Sequence, residues 1–170
     1  MEKICGFYVS NVHLVTMILP YLKEQLKNNI KIETFFESDL NDIINNILLN
    51  LIISEKNKKA ILDINWKNNK IKKYSNIEKN IKRLLIENNE IIFLIGGNKK
   101  YIKETNNLLN KFFEKNNDKK TKIKIINCYK ILEFDDNIKE ILEEHKYILN
   151  TSGIHKIEEV FEDYKEKTAN

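Results

Sequence analysis

The chain has 170 residues, 42% apolar and 32% charged, with a net charge of +4, one proline and four glycines. These proportions suit one domain spanning 1–170 with a core of its own, and they exclude collagen-like, linker-rich and loop-dominated chains. No apolar run reaches the ~18–20 residues of a membrane helix, and the opening Met1-Glu2-Lys3-Ile4-Cys5-Gly6 lacks the apolar stretch and cleavage site of a secretory leader.

Taken in order, Ile4–Val9 is a short apolar run that predicts a buried strand, after which Ser10 or Asn11 can cap a helix. Val12, Val15, Ile18, Leu19, Leu22 and Leu26 form a helical stripe to about Lys27, which Pro20 should kink or split. Asn28-Asn29 closes it, and Ile30–Phe36 reads as a second strand. Glu37-Ser38-Asp39 opens a helix, with Asp39 as a candidate cap and Leu40, Ile43, Ile44, Ile47, Leu48 and Leu51 on its apolar face. Ser54–Lys59 reads as a polar loop and Ala60–Trp66 as a third strand with Asp63 inside it. Lys67–Lys73 is a basic loop. A helix is expected over Asn76–Asn88 and a buried strand over Ile91–Ile95, ending in a Gly96-Gly97 turn. Asn98 caps the next helix, to about Lys115. Thr121–Tyr129 predicts a strand, Asp135–Glu144 a short helix, Tyr147–Leu149 a last strand, and Ile157–Lys167 an acidic amphipathic helix. Strands separated by helix-length segments imply crossover connections. The expected fold is therefore α/β, a three-layer αβα domain whose mainly parallel sheet has five or six strands, RecA-like or Rossmann-like.

In such sheets ligands bind beyond the carboxyl ends of the strands. That rule nominates Tyr8, Ser10, Asn11, Glu37, Trp66, Gly96, Gly97, Asn98 and Tyr129 as ligand-binding residues. Ser10-Asn11 and Gly96-Gly97-Asn98 stand where a helix N-terminus could hold an anion, yet no Gly-rich loop with Lys-Ser/Thr accompanies either. His13, His145 and His155 are scattered and no metal-ligand spacing is present, so neither metal nor cofactor is expected. His13 is read as packing or capping. Cys5 and Cys128 make no disulfide framework and read as reduced thiols of a cytoplasmic protein, Cys5 as a small buried hydrophobe. Without a catalytic constellation, the expectation is that the chain is not an enzyme.

Charge is unevenly placed. Residues 54–83 hold ten basic and three acidic side chains, whereas residues 131–170 hold five and eleven. Such polarity suits solvated faces, or a surface complementary to a partner or a second copy. Trp66 with Lys67, Lys70, Lys72 and Lys73 is the best nucleic-acid patch on offer. Arg83 is the sole arginine, however, and arginine is the residue suited to bidentate phosphate and base contacts.

Three stretches together resemble one family. Lys3-Ile4-Cys5-Gly6-Phe7-Tyr8 is similar to the start of the MEDS (methanogen/methylotroph) sensory domain. Leu19-Pro20-Tyr21-Leu22, Leu26-Lys27-Asn28-Asn29 and Ile30–Phe36 resemble its continuation. Asn127-Cys128-Tyr129, Ile138–Leu142, His145 and Tyr147-Ile148-Leu149 resemble its close. The likeness covers about residues 3–154. It departs from the family pattern at Lys3, Lys130 and Lys146, and at Gly97-Asn98, where an acidic position is usual. The resemblance implies a RecA-like fold without a phosphate-binding loop, acting as a non-catalytic sensory or regulatory module of bacterial signalling or transcriptional control. It implies a regulatory protein partner, with a small-molecule ligand and self-association as further expectations, and no membrane. The alternatives are a degenerate nucleotide-binding protein and a nucleic-acid-binding protein using the basic segment 54–83.

Overall fold

Apolar residues occupy both parities of the central strands, so both faces of the sheet must be covered. The computed structural model describes residues 1–68, 74–115, 121–132 and 136–161. Its elements are β1 (Glu2–Tyr8), α1 (Asn11–Lys27), β2 (Lys31–Phe36), α2 (Asn41–Asn50), α3 (Glu55–Leu62), α4 (Tyr74–Glu87), β3 (Glu90–Gly97), α5 (Lys99–Lys115), β4 (Lys122–Lys130), α6 (Asp136–Glu143), β5 (Tyr147–Asn150), β6 (Gly153–Lys156) and α7 (Ile157–Val160).

The six strands form one sheet in the order β2-β3-β4-β1-β5-β6. All neighbours run parallel except β5 and β6. One core lies between the sheet and α1, α2 and α3, built on Ile4, Ile92, Leu94, Ile126 and Leu149. The other lies beneath α4, α5 and α6, built on Ile91, Phe93, Ile95, Ile125 and Ile148. The three-layer α/β arrangement is thus present, with six strands, and it is Rossmann-like in its layering. No described helix is long and apolar enough to cross a membrane.

Several local expectations need correction. Ser54–Lys59 is not a loop and Ala60–Trp66 is not a strand. Ser54 caps α3, its Oγ accepting from the Asn57 N–H at 3.3 Å. Ile61, Ile64 and Trp66 are buried while Leu62, Asp63 and Asn65 are exposed, a spacing that suits a helix end and a turn. Among the described residues an isolated parallel bridge, Phe36 to Asn68, lies two residues past the end of the expected strand. Asp63 is accordingly an exposed C-cap rather than a buried carboxylate. Pro20 lies inside a continuous 17-residue α1. Its ring is on the exposed side with Thr16, where water can satisfy the Thr16 carbonyl that proline leaves without a donor. Gly96 and Gly97 are the last residues of β3, not a turn. β6 was not anticipated at all. The turn before it is closed by the Asn150 Oδ1, which accepts from the Ser152 N–H at 2.9 Å, and by Gly153 at φ +118°. Asp39 caps one residue early: its Oδ1 accepts from the Asn41 N–H at 3.0 Å, while Leu40 occupies the N-cap. Of the expected acidic tail helix, Ile157–Val160 is helical and residues 162–167 lie outside the described residues.

Both cysteines are buried and free. They belong to opposite cores, Cys5 with α4–α6 and Cys128 with α1–α3. Burial pushes the Cys5 thiol up to about 12 and raises that of Cys128 as well. Since the thiolate is the reactive form, the folded protein is expected to leave iodoacetamide unreacted at neutral pH and to take two labels only after denaturation. Mass spectrometry checks this, and rapid labelling of native protein would contradict the packing of β1 and β4.

Candidate functional site

The strands' carboxyl ends share one edge. From β1 the chain leaves to α1 on one face, and from β4 to α6 on the other. Such divergence opens a crevice in α/β sheets.

The best-organised part of this edge centres on Glu37. Its N–H donates to the Gly96 carbonyl at 2.9 Å, extending the β2–β3 ladder by one rung. That rung lays the side chain across Gly97. A Cβ at position 97 would lie 2.7 Å from Tyr101 Cδ1 and 2.9 Å from Glu37 Cβ and Oε2. The carboxylate then accepts from the Asn98 N–H at 2.7 Å and from Asn98 Nδ2 at 2.6 Å. Asn98 in turn caps α5, its Oδ1 accepting from the Tyr101 N–H at 2.8 Å, as the sequence led one to expect. Burial, followed by Glu37, raises the Tyr101 phenol to about 12. Burial, then Cys128 and Glu37, pushes up the Tyr8 phenol. Both hydroxyls therefore stay protonated and able to donate.

Next to this group lies the start of α1. Ser10 Oγ accepts from the His13 N–H at 3.1 Å, and His13 Nδ1 accepts from the Val9 N–H at 3.3 Å. His13 serves the cap, as expected. Asn11 Oδ1 is shielded from solvent and has no hydrogen-bond partner among the described residues.

Of the nine nominated residues, the fold thus gathers Glu37, Gly96, Gly97 and Asn98, with Tyr8 and the Ser10-Asn11 turn beside them. Two are withdrawn. Trp66 is 2% exposed, stacked on Phe36 at 5.7 Å and 6°, with Nε1 donating to the Ile61 carbonyl at 2.8 Å. It is therefore no open stacking platform, and its companions Lys70, Lys72 and Lys73 lie outside the described residues. Tyr129 turns into the α4–α6 core, its ring 6.1 Å from Phe7 and 6.2 Å from His145. Sequence reasoning missed Tyr101 and Asn68. Asn68 Nδ2 donates to the Glu37 carbonyl at 2.7 Å. Tyr101 was signalled indirectly, as the third residue after an N-cap asparagine. Among the described residues no three His, Cys, Asp or Glu side chains are placed to hold a metal.

His145 carries a titration worth testing. Its Nδ1 lies 2.7 Å from the Ile141 carbonyl and its buried Nε2 has no partner among the described residues. Burial lowers its pKa, against the Ile141 contact and Glu144, while Lys3 adds to the lowering. The folded state thus favours the neutral ring and the unfolded state binds the proton first. Its stabilising contribution is complete above the ordinary histidine pKa of about 6.5 and is lost as pH falls below that value toward the depressed one. Relative to His145→Gln, the native protein should lose up to about 1.4 kcal/mol per pH unit in that window. Urea titrations from pH 7.5 to 5 read the difference, and parallel profiles would refute it. The comparison also cancels Glu33, whose carboxyl is raised by burial.

A hollow of about 830 Å³ runs between α1 and the α2–α3 connection and is lined by none of the nine residues. Compared with family models, curated proteins and solved structures, the chain matches none.

Proposed function

We propose that the chain is a non-catalytic sensory or regulatory module, of the kind its MEDS-like sequence suggests, that acts in the cytoplasm through a protein partner. Its carboxyl edge recognises a small ligand bearing hydrogen-bond donors or positive charge. The observation that carries this reading is the Glu37 carboxylate seated on the first turn of α5, bonded to both the N–H and the Nδ2 of Asn98. Free amides at a helix N-terminus favour anions. Here the protein's own anion fills that position, and a nucleotide phosphate arriving there would meet a like charge. The phenol of Tyr101 and the side chain of Asn11 add polar groups that fix orientation without supplying a nucleophile or a base, while Tyr8 is buried beneath them in the α1–α3 core.

Calorimetry with ATP and GTP in the presence of magnesium, alongside thermal-shift screening of amine-bearing and neutral metabolites, tests this. The expected outcome is no nucleotide binding up to millimolar concentration, and stabilisation by a cationic or donor-rich ligand that Glu37→Gln weakens at least tenfold. A degenerate nucleotide-binding protein is the second reading, favoured by the Ser10-capped start of α1 beside the unpartnered Asn11 Oδ1. Nucleotide binding abolished by a bulky residue at Gly97 would favour it, and measurable turnover would refute the non-catalytic reading.

A further inference from the structure

We infer that the hollow beside α1 is a binding site for a single-chain anionic amphiphile, a long-chain carboxylate. The inference stands apart from the strand-edge reading and shares none of its residues.

The site is a groove of about 830 Å³, within the ~300–1,000 Å³ of small-molecule sites. Its walls are apolar: Leu19 and Pro20 from α1, Ile47 and Leu51 from the end of α2, Ile53 from the connection and Ile61 from α3. Leu19 and Ile61 are buried and form a fixed floor. Leu51 is extended, with φ −92° and ψ 132°. The chain then turns at Ile52, where the Ile53 N–H donates to the Leu51 carbonyl at 3.1 Å, so that Leu51 and Ile53 line the groove and Ile52 is fully exposed. Leu51 remains 42% exposed, as a wall residue does when the space beside it is unfilled.

The rim decides the head group. Lys23 and Lys27 stand one turn apart on α1 and both line the groove. Neither forms an ion pair with a described residue. Glu24, also on the rim, leaves the lining with a net positive charge. An anionic head suits this pair of ammonium groups, and a cationic one does not. The groove follows α1 from Thr16 to Asn28, which at 1.5 Å per residue is about 18 Å. Three extended backbone bonds span roughly 3.5 Å, so this length takes about 15 bonds of a straight alkyl chain.

Displacement of an environment-sensitive dye, confirmed by calorimetry below the micelle concentration, tests the inference with tetradecanoate, octanoate and tetradecyltrimethylammonium. Tetradecanoate should bind at least tenfold more tightly than the cationic chain of equal length. It should bind at least a hundredfold more tightly than octanoate, because each buried methylene contributes several-fold. Lys23→Glu combined with Lys27→Glu should invert the preference for head charge. Leu51→Asp, at a half-exposed position that folding tolerates, should abolish binding while the circular dichroism stays native. Glu37→Gln should leave tetradecanoate binding unchanged, which separates this site from the strand edge. No tetradecanoate binding, equal affinity for the two head groups, or binding indifferent to Leu51→Asp would each overturn the proposal.

Discussion

Replacing Trp66 by alanine is expected to destabilise the protein by about 3–5 kcal/mol, the range for deleting a large buried aromatic. A domain of this size has a total stability of about 5–15 kcal/mol, so the substitution removes a large fraction of the whole. The magnitude follows from what the residue joins. Its ring lies flat on Phe36, the last residue of β2, with centroids 5.7 Å apart. Its Nε1 donates to the Ile61 carbonyl at the end of α3, and its own carbonyl accepts from the Leu40 N–H at 2.8 Å, where α2 begins. The side chain thereby ties the end of α3 to the outermost parallel strand, and the backbone beside it ties down the start of α2. Trp66→Phe keeps an aromatic ring against Phe36 but loses the buried N–H bond and leaves the space of the second indole ring unfilled, so it should cost about 2 kcal/mol. Urea denaturation measures both. As the only tryptophan, Trp66 is also its own reporter: emission should be blue-shifted and resistant to acrylamide in the folded state. A loss below about 1 kcal/mol for Trp66→Ala would place the ring outside the core.

The same residue shows where sequence reading succeeds and where it stops. Trp66 was legible as a large apolar group near the sheet, but its setting was not. Ala60-Ile61-Leu62-Asp63-Ile64-Asn65-Trp66 carries enough apolar residues for a strand, and short runs do not distinguish period 2 from a helix end. The deciding signal was Ser54, three residues before Asn57 and ahead of Glu55, a helix start hidden in a lysine-rich stretch. Strands with unbroken apolar runs, such as β3, were plain, because both parities must be buried in a parallel sheet. The Asn98 cap was also plain, since it is local. Asn150-Thr151-Ser152-Gly153 held turn chemistry that pointed to β6, though the four residues of that strand are too few to show a period. The union of Glu37 with Asn98 could not be read at all. The two are 61 positions apart, and their meeting depends on the β2–β3 register that sets Phe36 opposite Gly96. The groove beside α1 is equally a product of tertiary packing, since it needs α3 to be a helix.

Gly97→Ala is the sharpest test of that long-range union, and about 2–3 kcal/mol of destabilisation is expected from it. The position has no room for a methyl group. Tyr101 Cδ1 would stand 2.7 Å away and Glu37 Cβ 2.9 Å away, both closer than carbon atoms approach. The ring and the Glu37 backbone must therefore shift, which is the overpacking regime of 1–3 kcal/mol. The shift also withdraws the carboxylate from the Asn98 N–H and Nδ2, and the lost hydrogen bonding contributes about another 1 kcal/mol. Gly96→Ala meets mainly one ring, Phe36 Cδ1 at 2.9 Å, with Leu14 Cδ2 at 3.2 Å, and should cost less because no Glu37 atom stands among its nearest neighbours. A double-mutant cycle separates crowding from any intrinsic preference for glycine in β3. Tyr101→Ala removes the nearer obstacle, so Gly97→Ala should cost at least about 1 kcal/mol less in that background, as coupled neighbours do. Additive effects would mean that the ring does not cover Gly97. Were Gly97→Ala as stable as the native chain, Glu37 could not lie across the end of β3. The α5 amides would then be open to phosphate, and the nucleotide-binding reading would displace the one preferred here.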